Sequence, residues 1–185
     1  MRYAGFWPRL FAGLIDGLVL SPILAISMWS YNCSPLVISV VSVATFFCTT
    51  AYEVYFLARY GQTIGKMICS LKVVDISGEP ISLSQAFYRS SVNILLGVVG
   101  LVATYQALTN IDPNSLASAV EWRERVRIIH SEKNRLGDAV LFTSNLWFWS
   151  EFIVLLFNER KRAIHDFMAG SIVIFESKHV SNNAV

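Results

Sequence analysis

The sequence predicts an all-α membrane protein of about four transmembrane helices, with short β-like cytoplasmic segments after the second and fourth. Three observations predict it. Of 185 residues, 54% are hydrophobic and only 15% are charged, where a soluble domain carries roughly 25% charge. Four windows reach or approach the ~20 apolar residues needed to cross the hydrocarbon core. Lysine and arginine are unevenly shared among the segments between those windows. The mean hydropathy of +0.50 agrees.

The first window, residues 10–29, is interrupted by Asp16 and Pro22. Asp16 within the run, and no clear small-residue cleavage site after it, predict a retained membrane helix and not a cleaved signal peptide. The second window, 36–57, has Glu53 near its end. The third, 90–111, carries no charge. The fourth, 139–157, carries Glu151 with Trp147 and Trp149. Those tryptophans either anchor at the membrane interface or pack between helices.

With the N-terminus inside, ten lysines and arginines fall on the inner side and five on the outer. Inside are Arg2, Arg9, Arg59, Lys66, Lys72, Arg89, Arg160, Lys161, Arg162 and Lys178; outside are Arg123, Arg125, Arg127, Lys133 and Arg135. The inner excess predicts a multi-pass protein of a cell (inner) membrane with both termini cytoplasmic. A re-entrant third or fourth window would change that topology. Residues 115–134 space Leu116, Ala119, Val120, Val126 and Ile129 near a helical period among charged residues. That pattern predicts an amphipathic loop helix, lying on the membrane or packed on the bundle.

Two stretches read as strands. Leu71–Asp75 precedes the turn cluster Ile76-Ser77-Gly78-Glu79-Pro80, and Ser171–Phe175 has a similar β-branched character. They belong to an echo: residues 63–74 align on 163–174 at an offset of 100. Phe6-Trp7-Pro8-Arg9 likewise resembles Ala86-Phe87-Tyr88-Arg89. A parallel two-unit repeat is expected, with the two strands paired and Lys66 facing Asp166. Internal repeats build many transporters.

Asp16 is the most informative residue, because a charge at mid-membrane costs roughly 2.5–3.5 kcal/mol on insertion scales. Arg9 lies two turns earlier, roughly 10.5 Å along the axis, too far for an easy direct pair. Each is therefore expected to pair elsewhere or share water. Asp16 is a ligand or a strut; Arg9 is a lipid-phosphate anchor unless it meets Asp166. Glu53, Glu151 and Asp16 place one acid in each of three helices, a pattern used by proton relays and hard-cation sites. Asn93 is a polar neighbour in the third. His165, beside Asp166, is a pH-sensing candidate or a hydrogen-bonded structural residue.

A net charge of +2 and a single basic run, Arg160–Arg162, argue against a nucleic-acid partner. Cys33, Cys48 and Cys69 have neither metal nor disulfide spacing. Hydrolase, metalloprotease, phosphate-loop and dinucleotide signatures are missing. No enzyme, cofactor or metal is expected.

Tyr3-Ala4-Gly5-Phe6-Trp7-Pro8-Arg9-Leu10 followed by Leu14-Ile15-Asp16 resembles the opening of the RDD family. Gly61-Gln62-Thr63-Ile64-Gly65-Lys66, then Leu71–Asp75 and Gly78, resembles its middle motif, and residues 163–174 its closing one. The resemblance runs through nearly the whole chain, 1–185, as one domain. It implies that Arg9, Asp16 and Asp166 are the arginine and two aspartates of the name. Arg135-Leu136-Gly137-Asp138 offers Asp138 as a competitor for the last place. Asp166 fits better, for the small and β-branched run after it, and Asp138 reads as an N-cap of the fourth helix. The resemblance also implies a prokaryotic membrane protein and transport, including cation–proton exchange. The expected partners are the lipid bilayer, a second copy or membrane complex, and a small cation or proton. The alternative is a non-transporting scaffold or regulatory subunit that binds a partner protein.

Overall fold

The computed structural model describes residues 2–119, 121–131 and 135–176. Val120, Lys133, Asn134 and Lys178 therefore lie outside the described residues. The chain runs α1 (Phe6–Ser30), α2 (Pro35–Tyr60), α3 (Ile64–Ile68), β1 (Leu71–Asp75), α4 (Leu83–Asn110), α5 (Pro113–Ser118), α6 (Trp122–Ser131), α7 (Arg135–Leu156), α8 (Ile164–Met168) and β2 (Ser171–Phe175). The four predicted spans are α1, α2, α4 and α7, each long and apolar enough to cross a membrane. Leu18, Phe47 and Phe142 point outward from the bundle and are exposed, as a lipid-facing surface requires.

Helix boundaries follow local chemistry. Ser82 and Gln85 form a capping box that starts α4 seven residues before the predicted window. Gly61 ends α2 in the left-handed conformation, φ +69°, and a β-carbon there would sit 2.8 Å from the Val73 carbonyl. Pro22 leaves the Leu18 carbonyl without its helical donor. The Ser21 hydroxyl donates to that carbonyl at 2.7 Å, and α1 continues through the proline.

The packing places α4 against both α2 and α7, while α1 packs on α2 and α3. Gly97 lets α4 approach α2 closely, since a β-carbon there would fall 2.5 Å from the Phe46 ring. At one end of the bundle, β1 and β2 pair antiparallel, with Leu71 opposite Phe175 and Asp75 opposite Ser171. Tyr3 bridges to Ile174, and Ala4 N donates to Val173 O at 2.9 Å. The first residues, the α2–α4 connection and the last strand thus meet at one sheet end. Leu71, Val73 and Val173 are buried there beneath Ala4, Ala12 and Leu57. The units α3–β1 and α8–β2 share the 100-residue offset; the offset is a property of these short units, and the repeat remains an expectation for the long helices.

At the opposite end the expected loop helix of 115–134 is two helices. Ala119 is extended, which ends α5, and Glu121 starts α6 by accepting from Glu124 N and Arg125 N. The break lets Leu116, from α5, and Ile129, from α6, both bury against Ile38, Ala107 and Ile111. Arg125 holds this cap to the α1–α2 turn through the carbonyls of Asn32, at 2.6 Å, and Cys33, at 3.0 Å.

Candidate functional site

Asp16 points from α1 at the start of α3. Its Oδ1 accepts from Tyr52 Oη at 2.6 Å and Gly65 N at 2.7 Å, and its Oδ2 accepts from Thr63 Oγ1 at 2.6 Å. Tyr52 Oη in turn accepts from Ile64 N at 3.1 Å. Carboxylate oxygens at a helix start satisfy otherwise orphaned amides. The approach depends on Gly65, where a β-carbon would lie 2.1 Å from the Ala12 carbonyl oxygen and 2.8 Å from Asp16 Cγ.

Asp166 is fully buried in α8. Arg9 Nη1 donates to its Oδ2 at 2.6 Å, and Arg89 Nη1 donates to its Oδ1. Ala163 N donates to Oδ2 at 2.9 Å, so Asp166 also caps its own short helix. Burial alone would raise its pKa. The charges of Arg89 and Arg9 overrule that and hold it far below the usual carboxylate range. Arg9 spends its other donors on Lys161 O at 2.6 Å and Ala4 O at 3.1 Å. Arg89 Nη1 also reaches Ser171 Oγ at 2.8 Å. Arg162 closes the far side, donating to the carbonyls of Asp166 and Ser171. Two arginines from α1 and α4 thus converge on one aspartate from α8.

Beside this lock lies a cavity of about 680 Å³. Its charged wall holds Arg9, Glu53, Lys66, Arg89, Glu151 and His165, and Asn93 lies on its rim. Its apolar wall comes from α4 and α7, including Gly97, Val140, Trp147 and Phe148. Glu151 is buried; it accepts from His165 N at 3.2 Å, and its Oε2 pairs with His165 Nδ1. Burial, then Arg89, lowers the His165 pKa despite that acid, so the imidazole is neutral near pH 7. Burial, then Arg89, also lowers the Lys66 pKa. Among the described residues no three His, Cys, Asp or Glu side chains converge to hold a metal ion.

The RDD family model matches residues 3–170. The chain belongs to the RDD family. It is 26% identical over 182 residues to a protein of Bacillus subtilis (strain 168) described as an uncharacterized membrane protein, YteJ, covering 94% of this chain and 82% of that one. No solved structure matches.

In this RDD protein the three charges of the family name are divided. Arg9 and Asp166 are bonded, while Asp16 belongs to the α3 contact. Lys66 does not pair with Asp166, which is occupied by Arg9 and Arg89; its Nζ donates to Thr63 Oγ1 at 3.3 Å. Position 66 corresponds to 166 at the 100-residue offset but holds a lysine. The α3 start therefore takes its carboxylate from α1, whereas α8 supplies its own. Asp138 is exposed in the first turn of α7, inside the helix and not at its N-cap. The two tryptophans separate, Trp147 to the cavity and Trp149 to the outer surface. Sequence reasoning missed Arg89, Tyr52 and Thr63 as partners. Only Arg89 carried a signal, as the arginine before the third window.

Proposed function

We propose that this RDD protein is a proton-linked membrane carrier whose ligand site is the cavity at the sheet end. The cavity itself carries the reading. Its volume of about 680 Å³ falls within the roughly 300–1,000 Å³ common for small-molecule sites. Its wall is charged within a membrane bundle, where ionisable residues commonly mark pathways. Asp16 and Asp166 serve as locks, since every carboxylate oxygen of each already has a close donor. The proton-handling group is Glu151 with His165, and Glu53 shares the chamber. Cation–proton exchange, which the family resemblance implies, then runs through Glu53 and Glu151 and not through Asp16.

By the lysine and arginine excess, the sheet end faces the cytoplasm of a cell membrane. A second copy completes the path, because four helices are few to enclose one. No catalytic step belongs to the proposal. The scaffold reading is favoured by one observation, that Arg9, Asp16 and Asp166 all sit in fixed contacts. It leaves the charged chamber without a purpose.

The test uses proteoliposomes with an internal pH-sensitive dye, pulsed with Na⁺, K⁺ or Li⁺ at matched amounts of folded protein. Cation-driven proton movement is expected in the wild type and lost in Glu151→Gln. Asp16→Asn is expected to keep movement per folded molecule but to lower stability by about 1–3 kcal/mol, since an amide replaces an acceptor. No movement in the wild type turns the assignment toward the scaffold.

A further inference from the structure

Two charges in the chamber are left over once the locks are formed. Lys66 has its one hydrogen bond to Thr63 Oγ1 and no ion pair among the described residues. Glu53 lines the same chamber and pairs with nothing among the described residues, although its charge is felt at Lys66. An ammonium and a carboxylate that share a half-buried space without pairing each retain a charge to satisfy. A cation alone answers Glu53 and leaves Lys66 without a counter-charge. An anion alone answers Lys66 and leaves Glu53 without one. A molecule carrying both charges answers both.

The remainder of the wall sets the other half of the ligand. Beyond the charges the lining is apolar, with Leu96, Gly97, Val140 and Phe148. Asn93 and Phe148 are exposed although they line the chamber, so it opens at the side of the bundle.

We propose that the chamber binds an apolar zwitterion, with its acid group toward Lys66, its amine toward Glu53 and its apolar part along Gly97 and Phe148. This rests on the reading of the chamber as a ligand site and names the chemistry that fills it. An acid group beside Lys66 also supplies the partner that burial makes the ammonium lack. The same chemistry occurs in a free hydrophobic amino acid and in an aminophospholipid headgroup whose tails leave by the side opening.

The experiment measures binding at pH 7 to the purified full chain in detergent, by thermal shift and by equilibrium dialysis of labelled probe. The probes are leucine, N-acetyl-leucine (anion only), leucine methyl ester (cation only), phosphatidylethanolamine and phosphatidylglycerol. A zwitterion is expected to bind at least about tenfold tighter than its singly charged relative. Lys66→Met should remove the preference of leucine over its methyl ester, and Glu53→Gln its preference over N-acetyl-leucine, with folding checked by gel filtration. Either variant alone suffices if the other fails to fold. Binding of leucine identifies a soluble ligand, and binding of phosphatidylethanolamine alone identifies a lipid one; both uphold the site. Equal binding of the singly charged relatives, or no binding of either zwitterion, overturns it. No gradient is needed, so zwitterion binding without proton movement removes the carrier and keeps the site. Proton movement without zwitterion preference does the reverse.

Discussion

Arg89 is the residue on which the Asp166 lock depends most. It is buried, and its guanidinium joins Asp166 to Ser171. Arg89→Ala is expected to lower stability by about 3–5 kcal/mol, because it leaves a buried carboxylate with one charged partner fewer. Thermal melting in detergent measures this. His165 gives a pH prediction. Its folded pKa is lowered by burial and by Arg89, so the unfolded chain binds the proton first. Stability is therefore complete above the unfolded value of about 6.5 and declines as pH falls below it. Melting temperatures between pH 7.5 and 5.5 should show the decline, and His165→Gln should flatten it. The charges themselves were legible, because Asp16 and Arg9 stand out against an apolar run. Their partners were not, because Asp16 meets Tyr52 36 residues on and Arg9 meets Asp166 157 residues on. No periodicity carries information across such separations.

Among the elements, the contact between α1 and α3 turns on Gly65. Gly65→Ala places a methyl group against the Ala12 backbone and the Asp16 carboxylate. A loss of about 1–3 kcal/mol is expected from overpacking. Gly17→Ala, one residue from Asp16 but with nothing near its β-carbon, should be neutral or slightly stabilising. Folded yield and melting of the two variants side by side make the comparison. The long helices are legible in hydropathy, since each span is a continuous apolar run. In sequence the loop helix looks like one piece because Leu116, Ala119 and Ile129 fit a helical spacing. Burial of the short turn at Ala119 overrode that local pattern. In sequence Asp138 looks like a cap, as an acid before an apolar run; in the fold residues 135–138 are already helical.

At the scale of the whole molecule, the two-stranded sheet joins segments 100 residues apart. With Cys33, Cys48 and Cys69 replaced, a cysteine pair at Lys72 and Ile174, directly opposed in the register, should crosslink under mild oxidation. A pair at Lys72 and Phe175 should crosslink far less, and gel mobility without reductant reads both. The echo at residues 63–74 and 163–174 made this pairing legible. It did not reveal that Asp16 serves one unit while Asp166 serves the other, because the echo aligns residues within the units and Asp16 lies outside both. The Arg9–Asp166 bond also sets a schedule for biosynthesis. At about 5–20 residues per second, Arg9 leaves the ribosome roughly 8–30 s before its partner. Throughout that interval a guanidinium waits at the head of an inserted helix, and Arg89 soon waits with it. Membrane insertion and completion of the fold are thus separate events, and neither arginine has its Asp166 partner until α8 arrives.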